Sequence, residues 1–287
     1  MQKLKDYAEL TKPRQTVLLL LTMFSAYFIA GGPPDLVMLA KLAVMGFASV
    51  GGVTALNMYL DADIDSLMRR TSKRPLPSGR LSPKETSFLV TFLIVLGAMV
   101  ASTINEYVLF AVLGGLYFDI VGYTELTKRF TPLSIVFGSI AGVMPALGGW
   151  AAGAGAITLP GILLAGVVYA WQPLHVWFLA YAAEEDYRRA GVPVASLRYS
   201  PKLFSLLVLL HLAIMISSVW GLVYLLGFGL LTGLISSAFI ALAVAKVATF
   251  YKNPSKQEAF KIFKFATPTL AIVYLLLPLE RLAVALL

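Results

Sequence analysis

Long apolar runs separated by short polar segments dominate the chain. Several of these runs exceed the roughly 20 residues that a helix needs to cross the hydrocarbon core of a bilayer. The intervening segments alternate between nearly uncharged connections and longer ones rich in acidic and basic residues. The pattern predicts nine transmembrane helices, at about 14–31, 36–57, 86–104, 106–122, 132–152, 158–180, 202–221, 224–249 and 265–287.

Composition supports this interpretation. Of the 287 residues, 59% are apolar and 13% are charged, about half the charged fraction of a soluble domain. We therefore expect an all-α integral membrane protein, with its helices bundled around a central cavity in the lipid bilayer. The chain has no cysteine, which excludes disulfides, thiolate metal sites and cysteine nucleophiles.

The basic residues are distributed unevenly between the two sides of the predicted membrane. The net charge is +8, and 21 of the 23 lysines and arginines precede the first span or lie in alternate connections. The positive-inside rule then places the N-terminus and the charged loops in the cytoplasm, and nine spans leave the C-terminus outside the cell membrane. Most of this charge reports topology, so we expect no nucleic-acid partner.

Hydropathy also suggests a duplicated plan with one polar loop in each half. An acidic cluster lies in each loop, at Asp61–Asp65 and at Glu184–Asp186. No clear residue-level repeat accompanies it, so this prediction rests on the hydropathy pattern alone. The predicted parts are a first half at about 1–122 with a polar loop at 57–85, a second half at about 123–249 with a polar loop at 181–201, and a ninth helix at about 265–287.

The first polar loop carries a row of oxygen-bearing side chains. Asn57, Asp61 and Asp65 repeat every four residues, which on a helix gives one face with a drift of roughly 40° per step. Carboxylate and amide oxygens are hard ligands suited to Mg²⁺. The alternative is a hydrated loop whose acids and bases merely pair with each other, which explains the presence of charge but not its order. The basic residues that follow suit an anion: Arg69, Arg70, Lys73 and Arg74.

The end of this loop has its own local signals. Pro75 and Pro77 cannot continue a helix, and Ser82 followed by Glu85 predicts a capping box at the start of the third span. A magnesium ion and a basic turn at the membrane surface suit ionisation of an allylic diphosphate, because the metal bridges carboxylates and phosphoryl oxygens while arginine and lysine hydrogen-bond the phosphate.

These residues resemble a known group of enzymes. The row N-x₃-D-x₃-D followed by RRTSKRPLPSGRLSP is similar to the first signature of the intramembrane prenyltransferases of the 4-hydroxybenzoate polyprenyltransferase superfamily. The resemblance implies nine transmembrane helices, two aspartate-rich loops and Mg²⁺-dependent transfer of an isoprenoid from its diphosphate to a large apolar acceptor.

Further stretches resemble the haem branch of that superfamily, the protohaem IX farnesyltransferases or haem O synthases. They are Tyr123–Pro132, Gly138–Trp150, Trp171–Ala180 and Glu185–Pro193. The resemblance implies farnesyl diphosphate, or a longer prenyl diphosphate, as donor and haem B as acceptor. It also allows for partners in haem-oxidase assembly.

The resemblance assigns roles residue by residue. It implies that Asn57, Asp61 and Asp65 bind Mg²⁺, with Asp61 and Asp65 counted as catalytic. In place of a second D-x₃-D, this chain has Glu184, Glu185 and Asp186 followed by Tyr187, so Asp186 is the first candidate for a further metal ligand and Glu185 a weaker one. Near the diphosphate the resemblance places Arg70, Arg74, Lys128 and Arg129.

His175 has two interpretations. A neutral imidazole in a membrane helix commonly hydrogen-bonds a neighbouring helix. Its place within the matched string favours a catalytic or haem-binding role: ligating the iron, positioning a propionate, or handling the proton of an attacking water. His211, inside the seventh predicted span, is assigned to packing.

Two rival functions remain at this point. One keeps the chemistry but changes the acceptor, to a quinone-precursor ring or a glycerophosphate lipid. The other is a transporter, which usually needs ionisable residues deep in the membrane; Asp119 and Glu125 are the nearest candidates and both lie close to the cytoplasmic interface.

Overall fold

The computed structural model describes the backbone from Gln2 to Leu286 and the side chains as far as Ala283. Met1 and Leu287, which belong to the predicted first half and ninth helix, lie outside the described residues. The helices of the first half are α1 (Gln2–Leu10), α2 (Pro13–Ile29), α3 (Leu36–Leu60), α4 (Ala62–Leu67), α5 (Pro83–Ser102) and α6 (Glu106–Tyr117), which continues as a π-helix (Phe118–Glu125).

The second half contains α7 to α13, and α14 ends the described chain. The helices are α7 (Ser134–Ala154), α8 (Leu159–Gln172), a second π-helix (Pro173–Trp177), α9 (Phe178–Ala182), α10 (Glu184–Arg189), α11 (Ala195–Arg198), α12 (Pro201–Leu226), α13 (Leu230–Lys252) and α14 (Lys256–Leu286). The described residues, from Gln2 to Leu286, contain no strand, so the all-α prediction is confirmed.

Eight helical stretches among the described residues are long and apolar enough to cross a membrane. They correspond to eight of the nine predicted spans, while the helix at the first predicted span, α2, has 17 residues. The count of nine therefore stays a prediction. The last helix begins at Lys256 and not near 265, because Ala259 and Ile262 are fully packed against the bundle although the lysines around them lower the hydropathy.

The helix α1 was not predicted. Its polar residues give no hydropathy signal, yet Leu10 is fully buried beside Ala55, Met58 and Leu81. The Arg80 guanidinium donates to Asp6 at 2.8 Å and to Glu9 at 2.9 Å. These contacts fix α1 against the first polar loop and the C-terminal half of α3.

Local signals in the sequence set several helix ends. Ser82 and Glu85 form the predicted capping box, in which the Glu85 N–H donates to the Ser82 hydroxyl and the Ser82 N–H donates to the Glu85 carboxylate. Asp35 caps α3 in the same general way. Pro173, which lacks an N–H, begins the second π-helix, where the α-helical hydrogen-bond ladder is interrupted.

Small residues allow the membrane helices to approach closely. A methyl group at Gly149 of α7 would lie 2.0 Å from the Met23 carbonyl oxygen of α2, and one at Gly97 of α5 would lie 2.9 Å from the Ser49 nitrogen of α3. Such backbone approach is the usual basis of helix packing in lipid, where apolar burial contributes little to association. The main core lies in the second half, around residues such as Phe178, Phe204 and Phe250.

The two polar loops pack against each other at one end of the bundle. Ile64 and Met68 of the first loop are buried against Ala180, Val192 and Val194 around the second. This small apolar cluster brings together two segments separated by more than one hundred residues, and so places both acidic clusters at one end of the molecule.

The close approach of α2 and α7 predicts a strongly unequal response to two glycine substitutions. Gly149→Ala should lower the thermal unfolding midpoint, because overpacking against a backbone atom costs about 1–3 kcal/mol. Gly115→Ala should leave the midpoint unchanged or raise it, because its methyl group would lie at an ordinary 3.5 Å from Met144 and alanine favours helix by about 1 kcal/mol. Thermal unfolding in detergent measures both, and equal midpoints would contradict the packing.

Candidate active site

The row of oxygen ligands follows a nearly continuous helical path. Helix α3 ends at Leu60 and α4 begins at Ala62, but hydrogen bonds bridge the junction. The Asp61 N–H donates to the Asn57 carbonyl at 3.0 Å, and the Asp65 N–H donates to the Asp61 carbonyl at 2.8 Å. The three side chains therefore lie along one face, as the spacing predicts, while the backbone bends at Asp61.

Both carboxylates of the row are buried and paired with cations. Asp61 is 2% exposed and Asp65 is 5% exposed. The Lys128 ammonium, which lies after the first π-helix, donates to Asp61 Oδ2, and the Arg74 guanidinium donates to Asp65 Oδ2 at 2.5 Å. Two of the four cations that the sequence places near a diphosphate thus lie directly on the acidic row.

The other two cations have different surroundings. Arg129 donates to both oxygens of Asp63, at 2.7 and 2.8 Å, and to the Leu60 carbonyl. This pair is largely exposed, and its hydrogen bonds lower the pKa of Asp63. The structure therefore binds Arg129 to the outer side of α4 and not to the row. The Arg70 side chain is exposed and its charge lies near Tyr187.

Asp186 joins the two loops. Its carboxylate accepts the backbone N–H of Arg69 at 3.0 Å and that of Arg70 at 3.2 Å. Both of its oxygens are thus engaged with the basic turn. Glu185 points elsewhere, since it is exposed and pairs with Lys256 at the start of α14 at 3.1 Å. Of the two further metal ligands predicted in the second loop, only Asp186 lies against the first loop.

Lys12 lies near the charged groups of the site. From the sequence it was only one of the basic residues that indicate membrane topology. It lies between α1 and α2 with a φ of 42°, a left-handed backbone conformation that is uncommon outside glycine. Burial lowers the pKa of Lys12 to about 8, and the nearby positive charge of Arg74 adds to this effect. A strained, buried ammonium among other cations is suited to receive an anion. Its position directly before Pro13 was the only available signal.

Tyr187, in the second loop, lies near the basic turn of the first loop. Burial raises the pKa of its phenol, while the charges of Arg70 and Arg74 oppose that effect. Tyr123, on the first π-helix, lies with its ring centroid 5.4 Å from the Lys128 ammonium. The charged groups of the site thus lie near Lys12, Tyr123 and Tyr187.

His175 lies away from the acidic row, on the second π-helix. Its ring is stacked between Trp171 and Phe263, with ring centroids 4.5 and 4.6 Å apart. Its Nδ1 atom is buried and has no hydrogen-bond partner among the described residues. The stacking supports the packing interpretation and the unpaired nitrogen supports a polar role, so both stay open. The Nδ1 atom of His211 hydrogen-bonds the Leu207 carbonyl, consistent with packing.

The row has the chemistry that a hard divalent cation needs. Among the described residues, no three carboxylate or imidazole groups come together as a metal site, because Asp61 and Asp65 are drawn to Lys128 and Arg74. Yet Asp61 Oδ1 is buried and accepts no hydrogen bond from any described residue. A buried carboxylate oxygen without a partner is unfavourable, and a bound cation would satisfy it. The donor set therefore fits Mg²⁺.

Comparison with known proteins identifies the family of the chain. Residues 18–268 match the UbiA prenyltransferase family. The chain belongs to this family and is a membrane-embedded prenyltransferase.

A curated relative specifies the similarity further. The chain is 52% identical over 279 residues to a protein of Aeropyrum pernix named "Protoheme IX farnesyltransferase", covering 97% of this chain and 92% of the relative. A relative of Archaeoglobus fulgidus with the same name is 40% identical, covering 96% and 97% of the two chains.

Solved structures share the fold. A structure described in a study of digeranylgeranylglyceryl phosphate synthase has a TM-score of 0.81 and 22% identity, covering 99% of this chain and all of the other. A UbiA homologue from Archaeoglobus fulgidus, solved with GPP and Mg²⁺, has a TM-score of 0.66 and 16% identity, covering 94% and 98%. At these identities the likeness shows the fold alone.

The unequal burial of the two cation pairs yields a prediction for stability. Lys128→Met leaves the buried Asp61 unpaired, so the unfolding free energy should fall by about 3–5 kcal/mol, and added Mg²⁺ should recover part of that loss. Arg129→Met breaks an exposed pair, so the change should be about 0–1 kcal/mol and insensitive to Mg²⁺. Thermal melts with and without Mg²⁺ measure this, and equal losses in the two variants would refute the assignment.

Proposed function

We propose that this enzyme transfers the farnesyl group of farnesyl diphosphate, or a longer prenyl group from its diphosphate, to a vinyl group of haem B (protohaem IX), giving haem O. The observation that supports it most is the joined pair of polar loops, in which buried carboxylates and cations meet at the end of an apolar bundle. The name of the 52% identical relative supports haem as the acceptor.

The residues of the acidic row would hold the metal. Asn57, Asp61 and Asp65 are the proposed Mg²⁺ ligands, and the unpaired Oδ1 of Asp61 supports this assignment. Bound there, Mg²⁺ would neutralise the negative charge of the diphosphate leaving group. Asp186 is proposed as the first candidate for a further metal ligand, and it also holds the basic turn in place. Glu185 is proposed as a weaker ligand because it pairs with Lys256.

The cations around the row would bind the diphosphate. Lys128 and Arg74 already contact the acidic row, and Lys12 lies close enough for its charge to act on Asp119 and Arg74. When a diphosphate enters, these side chains can exchange a carboxylate for phosphoryl oxygens through charge-assisted hydrogen bonds. Arg70 is proposed as a further ligand from the exposed side, whereas Arg129 would act mainly through α4.

The reaction would proceed by ionisation of an allylic ester. The bond between the first farnesyl carbon and its oxygen breaks, and diphosphate leaves with the electron pair. The vinyl group of haem B attacks the allylic carbon, and water adds to the resulting cation and loses a proton. Tyr123 and Tyr187, which lie beside cations of the site, are proposed to exclude water from the ionising bond until the acceptor is in place.

The acceptor would lie among the helices of the second half. His175 is proposed as a haem-binding residue with its role open among iron ligation, propionate positioning and proton handling. The aromatic rings of Trp171 and Phe263 beside it provide a flat apolar surface suited to a porphyrin. Partners in haem-oxidase assembly are consistent with such a product.

The chain is a multi-pass membrane protein, and we place it in the cell membrane with its N-terminus in the cytoplasm and its C-terminus outside. The support is the positive-inside rule together with the site, which gathers most of the charged loops at one end. The same arrangement supports a plan of two four-helix halves followed by a last helix.

The rival functions have less support. A quinone-precursor ring or a glycerophosphate lipid as acceptor keeps the same donor site, and the structure described in the digeranylgeranylglyceryl phosphate synthase study is only 22% identical. Transport would use ionisable groups as a substrate path, but Asp119 is engaged with Asn57 and Glu125 is exposed.

The proposal predicts the product directly. Purified protein mixed with haem B, farnesyl diphosphate and Mg²⁺ should yield a haem heavier by one farnesyl group and one hydroxyl group, with release of one diphosphate, as measured by mass spectrometry and phosphate analysis. Asp61→Ala should lower the rate by about a hundredfold or more, because it removes a group essential for stabilising leaving-group charge.

Asp63→Ala is the matched control, since Asp63 is a neighbouring carboxylate that is exposed and pairs with Arg129. It should retain most of the activity. Parallel assays with 4-hydroxybenzoate and with a prenylglyceryl phosphate separate the acceptors. Product with either of these and none with haem would replace the haem assignment, while absence of diphosphate release with all acceptors would contradict prenyl transfer.

A further inference from the structure

The first π-helix makes direct contact with the metal-binding row. From Phe118–Glu125, the Asp119 carboxylate and the Thr124 hydroxyl both face Asn57. The Asn57 side-chain nitrogen donates to Asp119 Oδ2 at 3.3 Å and to Thr124 Oγ1 at 2.9 Å. All side-chain hydrogen bonds described for Asn57 involve this nitrogen, and none involves its oxygen.

These partners allow only one orientation of the Asn57 amide. The Thr124 hydroxyl donates its hydrogen to the Asp119 backbone carbonyl at 2.9 Å, so toward Asn57 it acts as an acceptor. An Asp119 carboxylate is also an acceptor. Two acceptors require the NH₂ group of Asn57, which turns its carbonyl oxygen to the opposite side. That oxygen is the atom by which an amide binds a hard cation.

The π-helical geometry is what brings the two acceptors together. Residues five apart on an α-helix, such as Asp119 and Thr124, would lie about 140° apart around the axis. In a π-helix, hydrogen bonds between residues five apart bring such positions to nearly the same face. Single-turn π distortions are frequently found at functional sites, and here the widened turn serves a specific contact.

The position of Asp119 would be unfavourable without other charges. It lies near the cytoplasmic end of a membrane-spanning stretch, and the ammonium groups of Lys12 and Lys128 lie close to it. These cations offset the unfavourable energy of holding a carboxylate at this depth. They are the same cations that face Arg74 and Asp61, so Asp119 belongs electrostatically to the site although it is not part of the N-x₃-D-x₃-D row.

We propose that Asp119 is a positioning residue that, with Thr124, fixes the Asn57 amide so that its oxygen faces the metal. This inference rests on the proposed Mg²⁺ site and deepens it, because it adds an outer partner to the Asn57 ligand. Outer partners of metal ligands typically change metal affinity by 10–100-fold. Asp119 itself contacts neither farnesyl diphosphate nor haem in this proposal.

The test measures metal binding without catalysis. Purified protein is melted with a fixed concentration of inorganic pyrophosphate and increasing Mg²⁺, and the Mg²⁺ concentration that gives half of the maximal stabilisation is recorded. Asp119→Ala should raise this concentration by about tenfold or more. Asp119→Asn should change it by about threefold or less, since an amide oxygen can still accept from Asn57.

An exchange of the two side chains separates positioning from folding. Asn57→Asp places two carboxylates against each other and should raise the half-maximal Mg²⁺ concentration by about tenfold or more. Adding Asp119→Asn restores a donor facing an acceptor, and should return the value to within about threefold of the unsubstituted protein. Glu125→Gln, on the same π-helix but exposed, is the matched control and should not change it.

The outcomes distinguish this inference from the proposed function. If the unsubstituted protein responds to Mg²⁺ with pyrophosphate but Asp119→Ala is unchanged, or if the exchanged pair is as weak as Asn57→Asp alone, the positioning role is overturned while the metal site stands. If the unsubstituted protein shows no stabilisation by Mg²⁺ with pyrophosphate, the proposed metal site is overturned and this role with it.

Discussion

The contact between Asp186 and the backbone of Arg69 and Arg70 is the constraint on which the site depends. One carboxylate accepts two successive N–H groups, at 3.0 and 3.2 Å, across more than one hundred residues of sequence. Charge-assisted hydrogen bonds of this kind are among the stronger polar contacts in proteins. This contact holds the basic turn, which continues to Arg74, against the second loop.

The site between the two loops contains two buried ion pairs, Lys128–Asp61 and Arg74–Asp65. Asp61 and Asp65 are buried and would be unfavourable alone, and Lys128 and Arg74 compensate them in the absence of substrate. In the proposed complex, a metal ion would replace the lysine and arginine as the cation beside the carboxylates. The diphosphate would replace the carboxylates as the anion beside the ammonium and guanidinium groups. In the proposed mechanism the protein would exchange one set of ion pairs for another without leaving charges unpaired in a medium of low polarity. Asp61 Oδ1 has no hydrogen-bond partner among the described residues, so it is the atom that a bound cation would satisfy.

Hydropathy and local motifs predicted much of this fold, for reasons that can be stated residue by residue. Apolar runs gave eight spans closely, and Ser82 with Glu85 gave a capping box because both depend on neighbours in sequence. The four-residue spacing of Asn57, Asp61 and Asp65 predicted their common face. The partner of Arg129 was not predictable, because Asp63 and the acidic row are equally near in sequence. The sequence did not predict helix α1, because its position depends on contacts with distant segments. It also did not predict that Lys12 and Asp119 lie near the acidic row, and no sequence pattern indicated the π-helix that carries Asp119.

We propose that Mg²⁺ and a prenyl diphosphate bind between the joined loops and separate the Asp61–Lys128 pair. The most direct measurement is an experimental structure of the protein with Mn²⁺ in place of Mg²⁺ and an unreactive thio analogue of farnesyl diphosphate, with the metal located by its anomalous scattering. In that structure we expect a metal bound to oxygens of Asn57, Asp61 and Asp65, with the Lys128 ammonium moved from Asp61 to a phosphoryl oxygen. A metal and diphosphate bound elsewhere, with the Asp61–Lys128 pair intact, would contradict it.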